Sequence, residues 1–191
     1  MKIIKILLLS ILLCSHTVLA NDKIEFNDWK KNFKKVALAN NISETTFNIV
    51  MAQVKFLPNV IKYDRFQPEF YEDTKTYVGK RSSELKLNKG IIFYNDNKEL
   101  INKIEDNFDI EKELLLALMG IETNFGKYVG KMDILSSLAT LSYDQRRSEF
   151  FTNELIILLK LIDTQQINRK TLYGSWAGAF GFFQFMPSTI K

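Results

Sequence analysis

The sequence predicts an all-α fold, and three observations support this prediction. Apolar residues recur at helical spacing along most of the chain, as Phe26, Trp29 and Phe33 do near its start. No stretch alternates between apolar and polar residues as a half-buried strand does. The 191 residues are 46% hydrophobic and show no internal repeat or low-complexity segment, so their number fits one packed domain, or a domain and a piece of another.

The first element, residues 1–20, has the pattern of a secretory signal peptide. Lys2 and Lys5 flank the start of an apolar run, and a small-residue cleavage site ends at Ala20. The run is shorter than the ~20 apolar residues that cross a bilayer. We therefore predict that residues 21–191 form an exported, periplasmic domain. An uncleaved N-terminal anchor is the alternative, and association with the outer membrane stays open.

The only cysteine and the only histidine, Cys14 and His16, lie within this leader. The mature chain therefore has no thiol nucleophile, disulfide or imidazole base, and we expect neither a metal nor a cofactor. Acid–base chemistry is left to Asp, Glu, Lys or Tyr. Leu13 stands where a small residue usually precedes a lipidated cysteine, which argues against a lipid anchor at Cys14.

The net charge of the chain indicates which classes of partner it suits. The formal net charge of +4 at pH 7 falls to +2 when Lys2 and Lys5 leave with the leader. This mild basic excess suits an anionic polymer, but no stripe of Lys and Arg interleaved with aromatic residues indicates nucleic-acid binding. We expect a monomer that does not bind nucleic acid.

Helices are predicted along the rest of the chain in order. Residues 24–57 form two, the second beginning near Ser43, and an irregular stretch follows between Pro58 and Pro68. Further helical patterns cover residues 71–87, which Gly90 ends, and then 93–108, 110–125 and 148–162.

The helix over residues 110–125 has the clearest end signals. Asp109 is placed to cap its N-terminus, and Gly126 is placed to end it in a left-handed conformation. Within it, Glu122 lies one turn after Leu118 and one turn before Phe125, on the apolar stripe. Burial there would favour the protonated carboxyl, as a general acid requires. The alternatives are a solvent-facing edge of the stripe or an ion pair.

A glycine-rich segment over residues 173–188 is the second candidate site. Its small residues permit close approach of a ligand, and its aromatic side chains offer faces for sugar rings. Ser175 and Gln184 can hydrogen-bond hydroxyl or acetamido groups. Tight packing between helices is the alternative reading of the same composition.

Several motifs together resemble the membrane-bound lytic transglycosylase B family, in the same order and with similar spacing. They are Asp64–Phe70 with Gly79–Arg81, Ile121–Gly126, Leu138–Tyr143 followed by Arg146–Phe151, and Gly174–Gly181 leading into Gln184–Ser188. The resemblance implies a lysozyme-like helical fold and a non-hydrolytic cut of peptidoglycan between N-acetylmuramic acid and N-acetylglucosamine, which leaves a 1,6-anhydro end.

The resemblance also implies roles for individual residues. Glu122 occupies the position of the catalytic glutamate, which acts as acid and then as base without a second enzymic carboxylate. The substrate-binding positions that it implies are Ser175, Gln184, Arg146, Arg147, Tyr143 and Phe185. Arg146 and Arg147 match a pair near the peptide-bearing sugar.

The chain departs from this family at its C-terminus. It ends at Lys191, whereas the resemblance implies a calcium-binding loop and further helices beyond that point. We therefore expect a truncated, N-terminal portion of the catalytic domain. Two alternatives to a transglycosylase are a non-catalytic peptidoglycan-binding remnant and a lysozyme-type muramidase.

Overall fold

The computed structural model describes residues 24–66 and 73–190. The predicted signal peptide, with Cys14 and His16, and the part of the Asp64–Phe70 motif from Gln67 onward lie outside these residues. In chain order the described elements are α1 (24–39), α2 (Glu44–Met51), α3 (Pro58–Arg65), α4 (Thr74–Arg81), α5 (Glu84–Asp96), α6 (Lys98–Phe108), α7 (Lys112–Thr123), β1 (Met132–Asp133), α8 (Ile134–Tyr143), α9 (Ser148–Asp163), a 3-10 turn (Arg169–Thr171), β2 (Tyr173–Gly174) and α10 (Pro187–Ile190).

The predicted all-α class is confirmed, with one small exception. Strands β1 and β2 pair antiparallel, with Met132 opposite Gly174 and Asp133 opposite Tyr173. Single bridges from Gly174 to Phe180 and from Phe180 to Phe185 extend this pairing into the glycine-rich segment. The prediction that no strand occurs is therefore wrong. Two residues are too short a strand for an alternating pattern to show in the sequence.

Helix α8 lies at the centre of the core, because every residue from Ile134 to Ser142 is buried. Its buried polar side chains are small, and those of Ser136 and Thr140 bond to the loop that precedes α3. The Ser136 hydroxyl accepts from the Lys55 N–H at 3.0 Å, and the Thr140 hydroxyl accepts from the Leu57 N–H at 3.0 Å. These bonds satisfy backbone donors of the loop between α2 and α3.

The remaining core is built around α8. Helix α9 packs along it through Leu155, Leu158 and Leu159, which are fully buried. Helix α1 adds stacked rings, with the Phe26 and Trp29 centroids 5.4 Å apart. None of the helices within residues 24–66 and 73–190 has the length and apolar character that crossing a membrane requires.

Helices α3, α5 and α6 differ from the predicted boundaries. Pro58 begins α3 as its first residue, where the missing N–H costs nothing, so the stretch expected to be irregular is helical to Arg65. The predicted helix over residues 93–108 breaks at Asn97, whose side-chain amide donates to the Phe93 carbonyl at 2.9 Å.

Gly90 does not end a helix but lies inside α5. A Cβ at Gly90 would lie 3.1 Å from Cζ of Phe125, and one at Gly120 would lie 2.9 Å from the same atom. Both glycines therefore make room for the Phe125 ring between α5 and α7. A glycine is present at position 90 because the Phe125 ring needs the space, and not because the helix ends there.

Asp163 joins the end of α9 to the beginning of α2. Its carboxylate accepts from the Ser43 hydroxyl at 2.6 Å and from the Ser43 N–H at 3.0 Å. The side-chain hydrogen bond from Ser43 is the main reason why the pKa of Asp163 lies below its ordinary value, followed by Thr46 and the Ser43 backbone.

This contact predicts a pH-dependent contribution to stability. A lowered folded-state pKa means that the contribution is present above the ordinary Asp value of about 4 and is lost as the pH falls through the folded value. We expect Asp163→Ala to lower the melting temperature at pH 7 and to make little difference near pH 2, measured by circular dichroism. The control is Asp106→Ala, which removes an exposed carboxylate on α6 and should leave the melting temperature unchanged at both pH values. An unchanged difference across this pH range would contradict the assignment.

Candidate active site

Glu122 lies in the last turn of α7 and is exposed, so the expectation that it is buried is wrong. The buried side of α7 is formed by Met119, Gly120 and Thr123. The apolar stripe on which Glu122 was placed, formed by Leu118, Met119 and Phe125, is only partly buried. Met119 is buried, whereas Leu118 keeps 39% of its surface accessible and Ile121, beside Glu122, keeps 45%. Helices α5 and α6 pack on α7, yet the Leu118 and Ile121 side chains stay exposed.

The Glu122 carboxylate makes no hydrogen bond or ion pair with any residue of the described ranges 24–66 and 73–190. The solvent-facing alternative therefore describes its surroundings, and the ion-pair alternative does not. Its carboxylate is free to contact a ligand from solvent.

A left-handed turn follows Glu122 and fixes how α7 ends. The helix stops at Thr123, and Asn124, Phe125 and Gly126 all have positive φ, at 50°, 60° and 81°. This end lies two residues before the predicted one. The start of α7 also differs from the prediction that Asp109 caps it. Asp109 ends α6 with φ 52°, and the Lys112 N–H at the start of α7 donates to the Glu105 carboxylate at 3.2 Å.

The glycine-rich segment lies against this turn. The buried Thr123 hydroxyl is 2.9 Å from the Phe182 carbonyl oxygen, to which it donates. The side-chain amide of Gln184 donates to the Val129 carbonyl at 3.1 Å. Glu122 and the glycine-rich segment, which the sequence singled out separately, are therefore neighbours in the fold.

Ser175 is held in a tight turn of the segment itself. Its N–H donates to the Ala179 carbonyl at 2.8 Å, and its hydroxyl accepts from the Ala179 N–H at 3.0 Å. Gly178 has φ 93° in this turn, and a Cβ there would lie 2.4 Å from Cδ2 of Leu138. Close packing on α8 therefore shapes this turn, and the Ser175 hydroxyl hydrogen remains available.

Gln184 and Phe185 are also placed by the segment's own backbone. Gln184 has φ 49°, and its amide donates to the Gly181 carbonyl at 2.9 Å as well as to Val129. Phe185 exchanges two backbone hydrogen bonds with Phe180 and stacks on Phe183 with ring centroids 5.5 Å apart. The Phe185 ring keeps 42% of its surface exposed.

The far end of the segment is attached to the core by Glu154, which the sequence analysis did not single out. Glu154 is 2% exposed on α9, and its carboxylate accepts from the Ser188 N–H at 2.9 Å, at the start of α10. Its position among the apolar residues of α9 was a signal in the sequence, because a carboxylate on a core face needs a partner.

Tyr143, Arg146 and Arg147 lie at the other end of α8 from the β1–β2 pair. At 1.5 Å per residue, the ten residues of α8 separate its ends by about 15 Å. The Tyr143 hydroxyl donates to Glu25 at 3.1 Å, and its ring meets the Phe26 and Phe56 rings edge-on.

Both arginines bind the same carboxylate, which belongs to Asp64 of α3. Asp64 is 1% exposed, Arg146 Nη1 lies 2.7 Å from its Oδ2, and Arg147 Nη2 contacts its Oδ1. The side chains of Arg146 and Arg147 remain 47% and 39% exposed. Asp64 belongs to a quoted motif, but nothing in the sequence indicated that it lies between this pair.

A groove of about 470 Å³ lies between α5 and α7, next to the candidate site. Leu87, Ile91, Leu116, Ile121 and Phe125 give it a mostly apolar lining. Glu122 does not line it, although Ile121 does. Within residues 24–66 and 73–190, no cluster of three or more Asp, Glu, His or Cys side chains could hold a metal ion.

Comparisons with known proteins show which class of proteins shares this fold. Structures that match it are lysozyme-like lytic transglycosylases. The profile of the transglycosylase SLT domain family matches residues 25–191, and the chain belongs to this family.

Individual relatives agree with this membership. The chain is 37% identical to membrane-bound lytic murein transglycosylase B of Escherichia coli (strain K12) over 106 residues. This aligned region covers 55% of this chain and 29% of that protein. SltB3 from Pseudomonas aeruginosa, in complex with NAG-anhNAM-pentapeptide, matches with a TM-score of 0.81 and 32% identity over 86% of this chain and 44% of its own. Slt35 from Escherichia coli, in complex with bulgecin A, matches with a TM-score of 0.69 and 28% identity over 84% and 52%. The chain thus spans about half or less of these relatives.

The buried Asp64 carboxylate predicts a measurable loss of stability when it is removed. We expect Asp64→Ala to lower the free energy of unfolding by about 2 kcal/mol, because hydrogen bonds to charged groups contribute more than neutral ones. Urea unfolding measures this. The matched control is Asp144→Ala, whose carboxylate pairs at 2.8 Å with a 54% exposed Arg65 and should contribute less than about 1 kcal/mol. Equal losses for the two variants would contradict the prediction.

Proposed function

We propose that this chain acts on bacterial peptidoglycan as a lytic transglycosylase, with Glu122 as its acid and base. The observation that carries the proposal is the position of an unpaired, exposed carboxylate at the end of α7, one residue before Thr123, which contacts the glycine-rich segment. Family membership supports this function, as does the bound NAG-anhNAM-pentapeptide of the Pseudomonas aeruginosa relative.

The proposed reaction needs only one enzymic carboxyl group. Protonated Glu122 donates its proton to the glycosidic oxygen, and the bond from that oxygen to C1 of N-acetylmuramic acid breaks. The acetamido group of the same sugar stabilises C1. The Glu122 carboxylate then takes the proton of the muramoyl 6-hydroxyl, whose oxygen bonds to C1. No water is consumed, and the product carries a 1,6-anhydro ring.

The exposed apolar side chains of Leu118 and Ile121, beside Glu122, offer a surface for the substrate next to the catalytic carboxyl group. Sugar rings that lie against Leu118 and Ile121 would displace water from the neighbouring carboxyl group. Exclusion of water strengthens the interaction between the carboxyl group and the glycosidic oxygen that it protonates. In this proposal, the bound glycan supplies the dry surroundings that the described residues alone do not provide.

The substrate-binding residues remain proposals of different kinds. Ser175 retains a hydroxyl hydrogen, Gln184 retains its amide oxygen, and Phe185 presents a half-exposed ring, so these three suit a glycan that lies along the glycine-rich segment. Arg146 and Arg147 retain exposed donors for a more distant, anionic part of the substrate. We propose Tyr143 only as a support for that second region.

The proposed place of action is the periplasm, where peptidoglycan lies, and it follows from the signal-peptide pattern of residues 1–20. The proposed partner is the glycan strand, bound by a monomer.

Digestion of purified peptidoglycan tests the proposal. We expect the chain to release muropeptides with 1,6-anhydro ends, identified by mass spectrometry. Glu122→Gln should lower the rate by about 10²–10⁴-fold, the usual contribution of a general acid or base. Because the Glu122 carboxylate has no partner in the described chain, this substitution should leave the melting temperature unchanged.

The matched control is Glu113→Gln, which alters another exposed carboxylate on α7 and should retain the rate. Products with reducing ends and no anhydro ring would identify a lysozyme-type muramidase instead. Binding to sacculi without any release would favour the non-catalytic alternative.

A further inference from the structure

We propose that Thr123 is a positioning residue, whose hydroxyl holds Glu122 in a fixed relation to the glycine-rich segment. This inference rests on the proposed function, because a positioning residue needs a reaction to serve. It concerns a contact between two parts of the chain that are far apart in sequence.

The Thr123 side chain is completely buried, and its hydroxyl lies between three backbone groups. Its oxygen is 2.9 Å from the Phe182 carbonyl oxygen and 3.2 Å from the Met119 carbonyl oxygen, and it accepts from the Gly126 N–H at 3.0 Å. A hydroxyl has one hydrogen to donate, and the Phe182 carbonyl is the nearer acceptor. One atom therefore joins the helix end, the turn after it and the glycine-rich segment.

Two other contacts make this connection rigid. Gly126 has φ 81°, and a Cβ there would lie 2.2 Å from Cε1 of Phe182, so the ring of Phe182 rests directly on the turn. Gln184 reaches the same turn region through the Val129 carbonyl at 3.1 Å. The backbone carbonyl of Phe182, its ring and the Gln184 amide thus attach to one short stretch of chain.

The consequence for Glu122 follows from its place in the chain. Glu122 and Thr123 are consecutive residues of one helix turn, so whatever fixes Thr123 also fixes the direction in which the Glu122 side chain leaves the helix. A local role alone would need only the bond to Met119, four residues earlier, which buried threonines commonly make. The bond to Phe182, 59 residues later, serves no helix and is the feature that indicates positioning.

The experiment compares Thr123→Val, which keeps the shape and removes the hydroxyl, with Thr123→Ser, which keeps the hydroxyl. For Thr123→Val we expect the Gly126 amide to exchange its hydrogen about ten-fold faster, since one buried bond is lost. We expect kcat for release of anhydro-muropeptides to fall by about 10²-fold with KM little changed, as misplacement of a catalytic group does. Thr123→Ser should keep both the Gly126 exchange rate and kcat close to those of the unsubstituted chain.

The control is Thr164→Val, which removes a hydroxyl that bonds to the Lys160 carbonyl four residues earlier at 2.9 Å but touches no part of the glycine-rich segment. It should leave exchange at Gly126 and the rate unchanged. Thr123→Ala, read out in the same way, replaces Thr123→Val should the valine variant not fold.

The outcomes separate the two proposals. An unsubstituted chain that releases no product overturns the proposed function, and the inference with it. With an active chain, a hydroxyl-free variant that keeps its kcat overturns the inference alone, as does one whose Gly126 exchange is unchanged. Loss of kcat in the valine variant with recovery in the serine variant supports positioning by the hydroxyl.

Discussion

The burial of α8 from Ile134 to Ser142 is the constraint on which the rest of the structure depends. The buried Ser137 and Ser142 hydroxyls of this helix have no hydrogen-bond partner among the described residues, whereas Ser136 and Thr140 bond to the loop between α2 and α3. These bonds tie the first helices to the centre. The N-terminal end of α8 supports the β1–β2 pair, and Leu138 contacts the turn at Gly178, so the glycine-rich segment is shaped against the same helix.

Much of the fold could be predicted from the sequence because helical periodicity is a local signal. The all-α class, helices α1, α2 and α9 and the existence of α7 followed from spacing and capping residues. The errors lie where a tertiary contact decides. Gly90 was expected to end a helix but accommodates the Phe125 ring inside α5, and Asp109 was expected to begin α7 but ends α6 with a left-handed backbone.

The candidate site shows the same division. Glu122 and the glycine-rich segment were singled out from residue types, and the fold makes them neighbours. Periodicity placed Glu122 on an apolar stripe of α7, yet it could not indicate that Leu118 stays exposed while Met119 is buried, because exposure depends on which elements pack there. Asp64, Thr123 and Glu154 were missed as partners for the same reason, since each acts on a group distant in sequence.

The three consecutive positive φ angles after Thr123 have a consequence for how the end of α7 is made. Only one of the three residues is a glycine, and left-handed backbone costs an ordinary residue such as Phe125 about 1–2 kcal/mol. Packing of the Phe125 ring offsets that cost, because the ring inserts between α5 and α7 and stacks on Phe93. A peptide cut from this region would therefore continue its helix or fray, and the sharp ending beside Glu122 exists only once the surrounding helices have assembled.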